Sequence, residues 1–385
     1  MIYLDNAATT RVAPEVFEAM APFLQDEFGN PSSIYSLAGR AAAALEAARA
    51  SLASYLGASP EEIIFTGGGS EADNLAIKGT MWKKPDGHMI TSAIEHHAVL
   101  HSCWALAKQG YDLTVVPVDS TGLVDPDDVR KALRPDTRLI TIMHSNNEVG
   151  TIEPIREIAQ IAREAGAKMH TDAVQSLGKV PLDVDELGVD MMAFSAHKIH
   201  GPKGVGALYL RKGFRPVNLI DGGGQERRLR AGTENMPGIA GFARAVELLA
   251  EEAREAPGRM TELRDRLIAG ILDTIPDTIL TGPTEQRLPN IASFCFRYIE
   301  GEGILLSLDM QDIAASSGSA CTSGSLDPSH VLLAMGYPHE IAHGSLRLSL
   351  SRYTTADEID RVLEVLPPII QRLRNMSPLY PGPGR

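Results

Sequence analysis

Met191-Met192-Ala193-Phe194-Ser195-Ala196-His197-Lys198-Ile199-His200-Gly201-Pro202-Lys203-Gly204-Val205-Gly206-Ala207-Leu208-Tyr209-Leu210 passes from one apolar run, through a polar loop, into a second apolar run with glycine at its start. Both runs have strand length. Similar runs recur upstream at Glu62-Ile63-Ile64-Phe65, His88-Met89-Ile90-Thr91, Leu113-Thr114-Val115-Val116, Arg138-Leu139-Ile140-Thr141-Ile142 and Lys168-Met169-His170. Helical patterns lie between them, beginning near Glu71 and near His96. Strands alternating with helices predict an α/β fold whose central sheet is mostly parallel, with helices on both faces.

Downstream, residues 237–275 turn helical, and Pro257-Gly258 interrupts them. This break predicts a large domain over 12–257 and a smaller α+β domain over 258–385 joined by 1–11. The smaller unit is expected to hold a strand at Ile291–Phe296 and helices near 303–308 and 356–373. Pro378-Leu379-Tyr380-Pro381-Gly382-Pro383-Gly384 cannot continue a helix. There is neither an internal repeat nor a low-complexity block.

The 385 residues are 44% hydrophobic and 22% charged, which is ordinary globular composition. A formal net charge of -13 argues against a nucleic-acid or anionic-membrane surface, although Arg227, Arg228 and Arg230 form one short basic cluster. No run of eighteen apolar residues occurs, and Met1-Ile2-Tyr3-Leu4-Asp5 is no signal peptide, so a soluble cytoplasmic protein is expected. Three cysteines, Cys103, Cys295 and Cys321, are too few for a disulfide framework and form no CxxC pair.

Six stretches carry chemistry. Lys198, after a strand end and flanked by Ser195, His197 and glycines, suits a carbonyl cofactor, because its amine can form a Schiff base while its neighbours bind phosphate. Asp172 ends the strand in Met169-His170-Thr171-Asp172-Ala173-Val174-Gln175. A carboxylate there can keep a pyridine nitrogen protonated, although a helix cap is the blander role. Gln175 could bond a ring hydroxyl. Thr66-Gly67-Gly68-Gly69-Ser70-Glu71 is a glycine-rich strand-to-helix turn suited to phosphate, and is neither GxGxxG nor Walker A.

In Glu95-His96-His97-Ala98-Val99-Leu100-His101, His97 and His101 have a spacing that metal sites use, but no third acidic ligand stands nearby. His96 is placed at a helix start, where a histidine can lie over a flat ring and exchange protons. Ala314-Ala315-Ser316-Ser317-Gly318-Ser319-Ala320-Cys321-Thr322-Ser323-Gly324-Ser325 surrounds one thiol with small polar residues, which reads as an exposed loop and an accessible nucleophile. Cys295, between Phe294 and Phe296, and Cys103, on an amphipathic helix, are expected in the core. Arg347 sits in an alternating strand and could grip a carboxylate.

Together these residues resemble the cysteine desulfurases, within the class V group of fold-type-I pyridoxal-phosphate (PLP) enzymes. The resemblance runs from Tyr3-Leu4-Asp5-Asn6-Ala7-Ala8-Thr9-Thr10 to Arg352-Tyr353-Thr354-Thr355, and includes Phe28–Ser33, His144–Gly150, Ala196–Gly206 and Ser316–Ser323. Ser317–Ser323 is similar to the long catalytic loop of group I. Ala231-Gly232-Thr233-Glu234-Asn235 and Arg352–Thr355 are more similar to the nitrogen-fixation type, NifS, than to the housekeeping type, IscS.

The resemblance implies that Lys198 holds PLP, Asp172 the pyridinium and Gln175 the phenolic oxygen. Asn147 also contacts the cofactor, and His96 stacks on the ring. Gly69, Ser70, Ser195 and His197 bind phosphate, with Thr233 supplied from the other subunit of a homodimer. Asn6, Asn147 and Arg347 orient L-cysteine, and Arg347 takes its carboxylate. Lys198 and His96 move protons, and Cys321 receives sulfur as a persulfide, leaving L-alanine. The sulfur passes to a NifU- or IscU-like iron–sulfur scaffold or another acceptor. No resident metal is implied, with Cys321 available to ligate an iron–sulfur cluster transiently. The family usually has Thr where Ser70 stands, which keeps the hydroxyl. A class V aminotransferase and a selenocysteine lyase are the near alternatives, and a non-catalytic scaffold the distant one. An aminotransferase has no use for Cys321.

Overall fold

The computed structural model describes residues 1–252, 255–317 and 327–382. Twelve strands occur among them: β1 (Ile2–Tyr3), β2 (Ile63–Thr66), β3 (His88–Ser92), β4 (Asp112–Val116), β5 (Thr137–Thr141), β6 (Lys168–Asp172), β7 (Met191–Ser195), β8 (Gly206–Leu210), β9 (Thr278–Leu280), β10 (Ile291–Phe296), β11 (Ile313–Ala314) and β12 (Ser345–Ser349). Seven form the main sheet in the order β2-β8-β7-β6-β5-β3-β4. Each neighbouring pair is parallel except the two made by β8. The structure is therefore α/β with a mostly parallel sheet, as the alternation predicts.

Continuous apolar strands are what a sheet covered on both faces requires. Successive residues of β7 go to opposite cores: Met192 and Phe194 join one apolar cluster, Met191 and Ala193 the other. The first cluster is closed by helices Ser36–Leu56, Ile155–Ala165 and Met236–Glu252, the second by Gly69–Met81 and His97–Ala107. Helices Pro14–Gln25 and Ser36–Leu56 were not read from the sequence. The latter is alanine-rich, so its apolar stripe is shallow.

A separate apolar cluster joins Leu4 to Leu263, Leu267 and Ile271 of helix Ala256–Thr274, to Phe294 and Phe296, to Leu346 and Leu348, and to Ile359 and Leu366 of helix Ala356–Met376. Its sheet has the order β12-β10-β9, antiparallel throughout. Pro257 lies in the first turn of helix Ala256–Thr274, where its missing N–H costs nothing. The amino-terminal arm crosses to this unit. Leu4 donates its N–H to Ala314, β1 pairs with β11, and the Asn6 and Ser349 backbones meet. No described helix is long and apolar enough to cross a membrane.

One buried ion pair fixes the segment that precedes Thr233. Arg49 grips Glu226 with both terminal nitrogens, at 2.8 and 2.9 Å, and Glu226 also accepts the Phe65 N–H at 2.8 Å. Both side chains are 3% exposed. Glu226, Arg227 and Arg228 all have left-handed φ values, of 43°, 58° and 64°. Three such residues in a row are strained and persist only where surroundings enforce them. Glu226→Ala leaves buried Arg49 with only the exposed Glu46 carboxylate, at 3.2 Å, as counter-charge, and is expected to destabilise the protein by about 3 kcal/mol. Chemical denaturation checks this; a loss under about 1 kcal/mol would show the pair to be dispensable.

Candidate active site

The residues singled out above converge because strands end together. β2, β3, β5, β6 and β7 all point the same way, so their carboxyl ends share one edge, the place where α/β sheets bind ligands. Asp172 is the last residue of β6 and Ser195 the last of β7. Lys198 follows Ser195 by three residues, in a loop whose return strand β8 is antiparallel, with Ser195 opposite Gly206. The cleft above this edge has a volume of about 260 Å³, near the lower end of the roughly 300–1,000 Å³ of small-molecule sites. It is lined by Gly69, Ser70, His96, Asn147, Asp172, Gln175, Ser195, His197, Lys198 and Arg347.

The turn after β2 brings backbone close. Gly68 has φ 155° and caps helix Gly69–Met81. A Cβ on Gly69 would lie 2.7 Å from Val174 Cγ2, and one on Gly206 would lie 2.6 Å from the Gly68 carbonyl carbon. Only glycine fits at these positions. The helix start faces the cleft with unsatisfied N–H groups, beside the hydroxyls of Ser70 and Ser195, which suits a phosphate.

Lys198 donates Nζ to the Ala7 and Ala8 carbonyls, each at 2.6 Å. Asp172 accepts the Val174 N–H at 2.9 Å, and burial holds its carboxyl up at about 6 despite that bond and the charge of Lys198. A cationic ring nitrogen beside it would keep it ionised. Gln175 donates Nε2 to the Ala7 carbonyl at 2.9 Å, while its buried Oε1 has no partner. An orphaned buried acceptor, a carboxylate at the foot of the cleft, an amine and a helix start together fit a phosphorylated pyridine aldehyde.

His96 is the cap of helix His97–Ala107, its Nδ1 accepting the Ala98 N–H at 3.1 Å. Burial, with Lys198 and neighbouring histidines, brings it down to about 4. It is thus neutral at pH 7 with its proton on Nε2, a donor rather than an acceptor there. His197 is likewise held near 4 by burial first and then by Lys198 and other lysines, and meets the Thr9 hydroxyl at 3.1 Å.

Arg347 is 3% exposed, not a residue of an alternating strand with one wet face. All of β12 is buried. Its guanidinium donates to the Asn147 carbonyl and to Asp5, both at 2.8 Å, and its buried Nε is unpartnered. Ser316 exchanges both backbone hydrogen bonds with Arg347. Cys321 itself lies outside the described residues. Cys103 and Cys295 are fully buried, and burial pushes both thiols up to about 12.

Asn6 does not line this cleft, and neither does Thr233, which is expected to act in the other subunit's site. Asn6 spends its amide on the Tyr3 and Ser349 carbonyls and lines a neighbouring cavity, and Thr233 is exposed on the surface of this chain. His97 and His101 stack at 4.9 Å between ring centroids, but no group of three ligands suited to a metal occurs among the described residues.

Sequence reasoning missed Asp73, one helical turn beyond Gly69. It is 1% exposed and lines the cleft, and its Oδ1 accepts no hydrogen bond, with His170 Nε2 standing 3.5 Å away. Burial, then the charge of Asp172, pushes its carboxyl well up. It also missed the buried Lys179. For Asp73 the only signal was helical spacing from Gly69, whereas Lys179 lies in a turn that offers none.

Residues 2–362 match the aminotransferase class-V family. The cysteine desulfurase IscS of Methanosarcina thermophila is 55% identical over 382 residues, covering 99% of this chain and 94% of that protein. A cysteine desulfurase of Nostoc is 52% identical over 379 residues, covering 98% and 95%. Among solved structures, a NifS-like protein has a TM-score of 0.91 at 41% identity, covering 97% of this chain and 100% of that one. SspA in complex with cysteine has a TM-score of 0.82 at 40% identity, covering 92% and 100%. The chain belongs to the class-V aminotransferase family, among its cysteine desulfurases.

Proposed function

We infer that this chain removes sulfur from L-cysteine with PLP, giving L-alanine and a persulfide on Cys321. The observation that carries the reading is the meeting of Lys198 and Asp172, from two strand ends, in a cleft that also holds a helix start and Arg347. PLP supplies an electron sink at the substrate's α-carbon. Lys198 anchors the cofactor and takes the α-proton, Asp172 pairs with the ring nitrogen, and Gln175, Asn147 and His96 hold the ring. Gly69, Ser70, Ser195 and His197 take the phosphate.

The net reaction balances simply. The substrate C–S bond breaks, an S–S bond to Cys321 forms, and the electron pair left on carbon takes up a proton. Cys103 and Cys295 cannot replace Cys321, because buried thiols near 12 hold almost no thiolate at pH 7. The cysteine held by the SspA structure and the relatives' names support this substrate. Sulfide and alanine formed from cysteine plus a reductant test the reading directly.

Division into 12–257 and 258–385 with 1–11 is part of the same proposal, supported by the separate apolar cluster that includes Leu4. So is a homodimer in which Thr233, exposed at the end of the segment fixed by Glu226, reaches the partner's phosphate site. A NifU- or IscU-like scaffold, or another acceptor, then takes the sulfur. Arg347→Lys tests the substrate grip. Lysine cannot keep Asn147 and Asp5 and also offer a fork, so the KM for cysteine should rise about 10- to 100-fold with kcat less affected. An unchanged KM would move the carboxylate contact to another cation.

A further inference from the structure

Two amines flank Gln175. Lys179 donates Nζ to the Gln175 carbonyl at 2.9 Å. The Gln175 side chain donates to the Ala7 carbonyl, and that same oxygen accepts Lys198 Nζ. One residue and one shared oxygen therefore connect the two lysines. Both also line a second cavity, together with Asn6, His200, Glu252 and Arg352, and Lys198 lines the cofactor cleft as well. Lys179 is 9% exposed, and no described carboxylate lies within ion-pair distance of it. The carboxylate of that cavity, Glu252, is taken by Arg352 at 2.8 Å.

A buried cation without an anion is expensive, and a backbone carbonyl alone does not call for one. The charge acts on its neighbour instead. We propose that Lys179 is a positioning residue that disfavours a proton on the Lys198 nitrogen, keeping that nitrogen reactive towards carbonyl carbon. This rests on the cofactor reading above. Like charges in a medium of low dielectric weaken each other's hold on protons. Lys179 itself is brought down to about 7 by burial and then by Lys198, so its charge acts on the Lys198 nitrogen below about that pH.

The other groups around them leave this sign intact. Asp172 attracts a proton to Lys198 equally with or without Lys179. His197 and His200 are held near 4 and are neutral at pH 7, with Lys203 acting on the first and Arg11 and Arg352 on the second.

The test titrates the visible absorbance of the PLP-loaded full-length protein, which reports protonation of the nitrogen joining Lys198 to the cofactor. Lys179→Met should raise the midpoint by about one pH unit, and Lys179→Arg, which keeps the charge, should restore it to within about 0.3 unit. Lys179→Gln decides in the same way if the Met variant fails to fold. An uncharged variant within about 0.3 unit of the native midpoint overturns the proposal, as does an Arg variant shifted as far as Met. Native protein without any visible band overturns the cofactor reading and this proposal together, whereas a band with an unmoved midpoint overturns this proposal alone.

Discussion

Lys198→Ala is expected to lower cysteine desulfuration by at least about four orders of magnitude, read as alanine formed per enzyme. Among the described residues that line the cleft, Lys198 carries the only primary amine. Its nitrogen is aimed by two carbonyls of the amino-terminal arm, so no neighbouring residue can take its place. The substitution removes the covalent anchor and the proton acceptor at once. Phosphate and pyridine contacts survive, so the variant should still bind PLP, without the borohydride-reducible adduct. Native protein lacking that adduct at Lys198 after reconstitution would end the PLP assignment.

Cys321→Ala should keep the yellow colour and cysteine binding while sulfur release falls at least about 1,000-fold. The structure sharpens the contrast with the other two thiols. A thiol near 12 is about one part in 10⁵ thiolate at pH 7, and both Cys103 and Cys295 are also closed to substrate by complete burial. Alanine at either position should cost around 1 kcal/mol of stability and leave turnover in place. Full sulfur release by Cys321→Ala would defeat the mechanism and require one of those buried thiols to open.

Asp172 and Lys198 were legible in the sequence because each ends or follows an apolar run that stands out, and parallel strands put such ends on one edge. The glycine turn was legible for the same reason. Arg347 was legible as a strand residue, but not as a buried one. It is covered by Asp5 of the amino-terminal arm and by Ser316, each more than thirty positions away. Lys179 and Asp73 were hard to read, because an isolated lysine or aspartate is usually solvated. Their importance comes from what the fold buries around them. The contacts that aim Lys198 are backbone carbonyls, which no side-chain pattern announces. Cys321 was read from composition and resemblance alone and falls outside the described residues.

The amino-terminal arm also bears on the order in which the protein matures. Ala7 and Ala8 are made first, yet the arm that presents them is clamped by the Ser349 hydroxyl and backbone, near the other end of the chain. Lys198 precedes Ser349 by 349 − 198 = 151 residues, which is roughly 8–30 s of synthesis. The main sheet, from β2 to β8, has left the ribosome well before then. A nascent chain can therefore hold Asp172, Lys198 and the glycine turn in place, with the arm tied to Gln175 and His197, before the Ser349 clamp exists. The cleft gains Arg347, which lies on β12, only late in synthesis, so the grip on substrate is completed after the glycine turn, Asp172 and Lys198 are already in the chain.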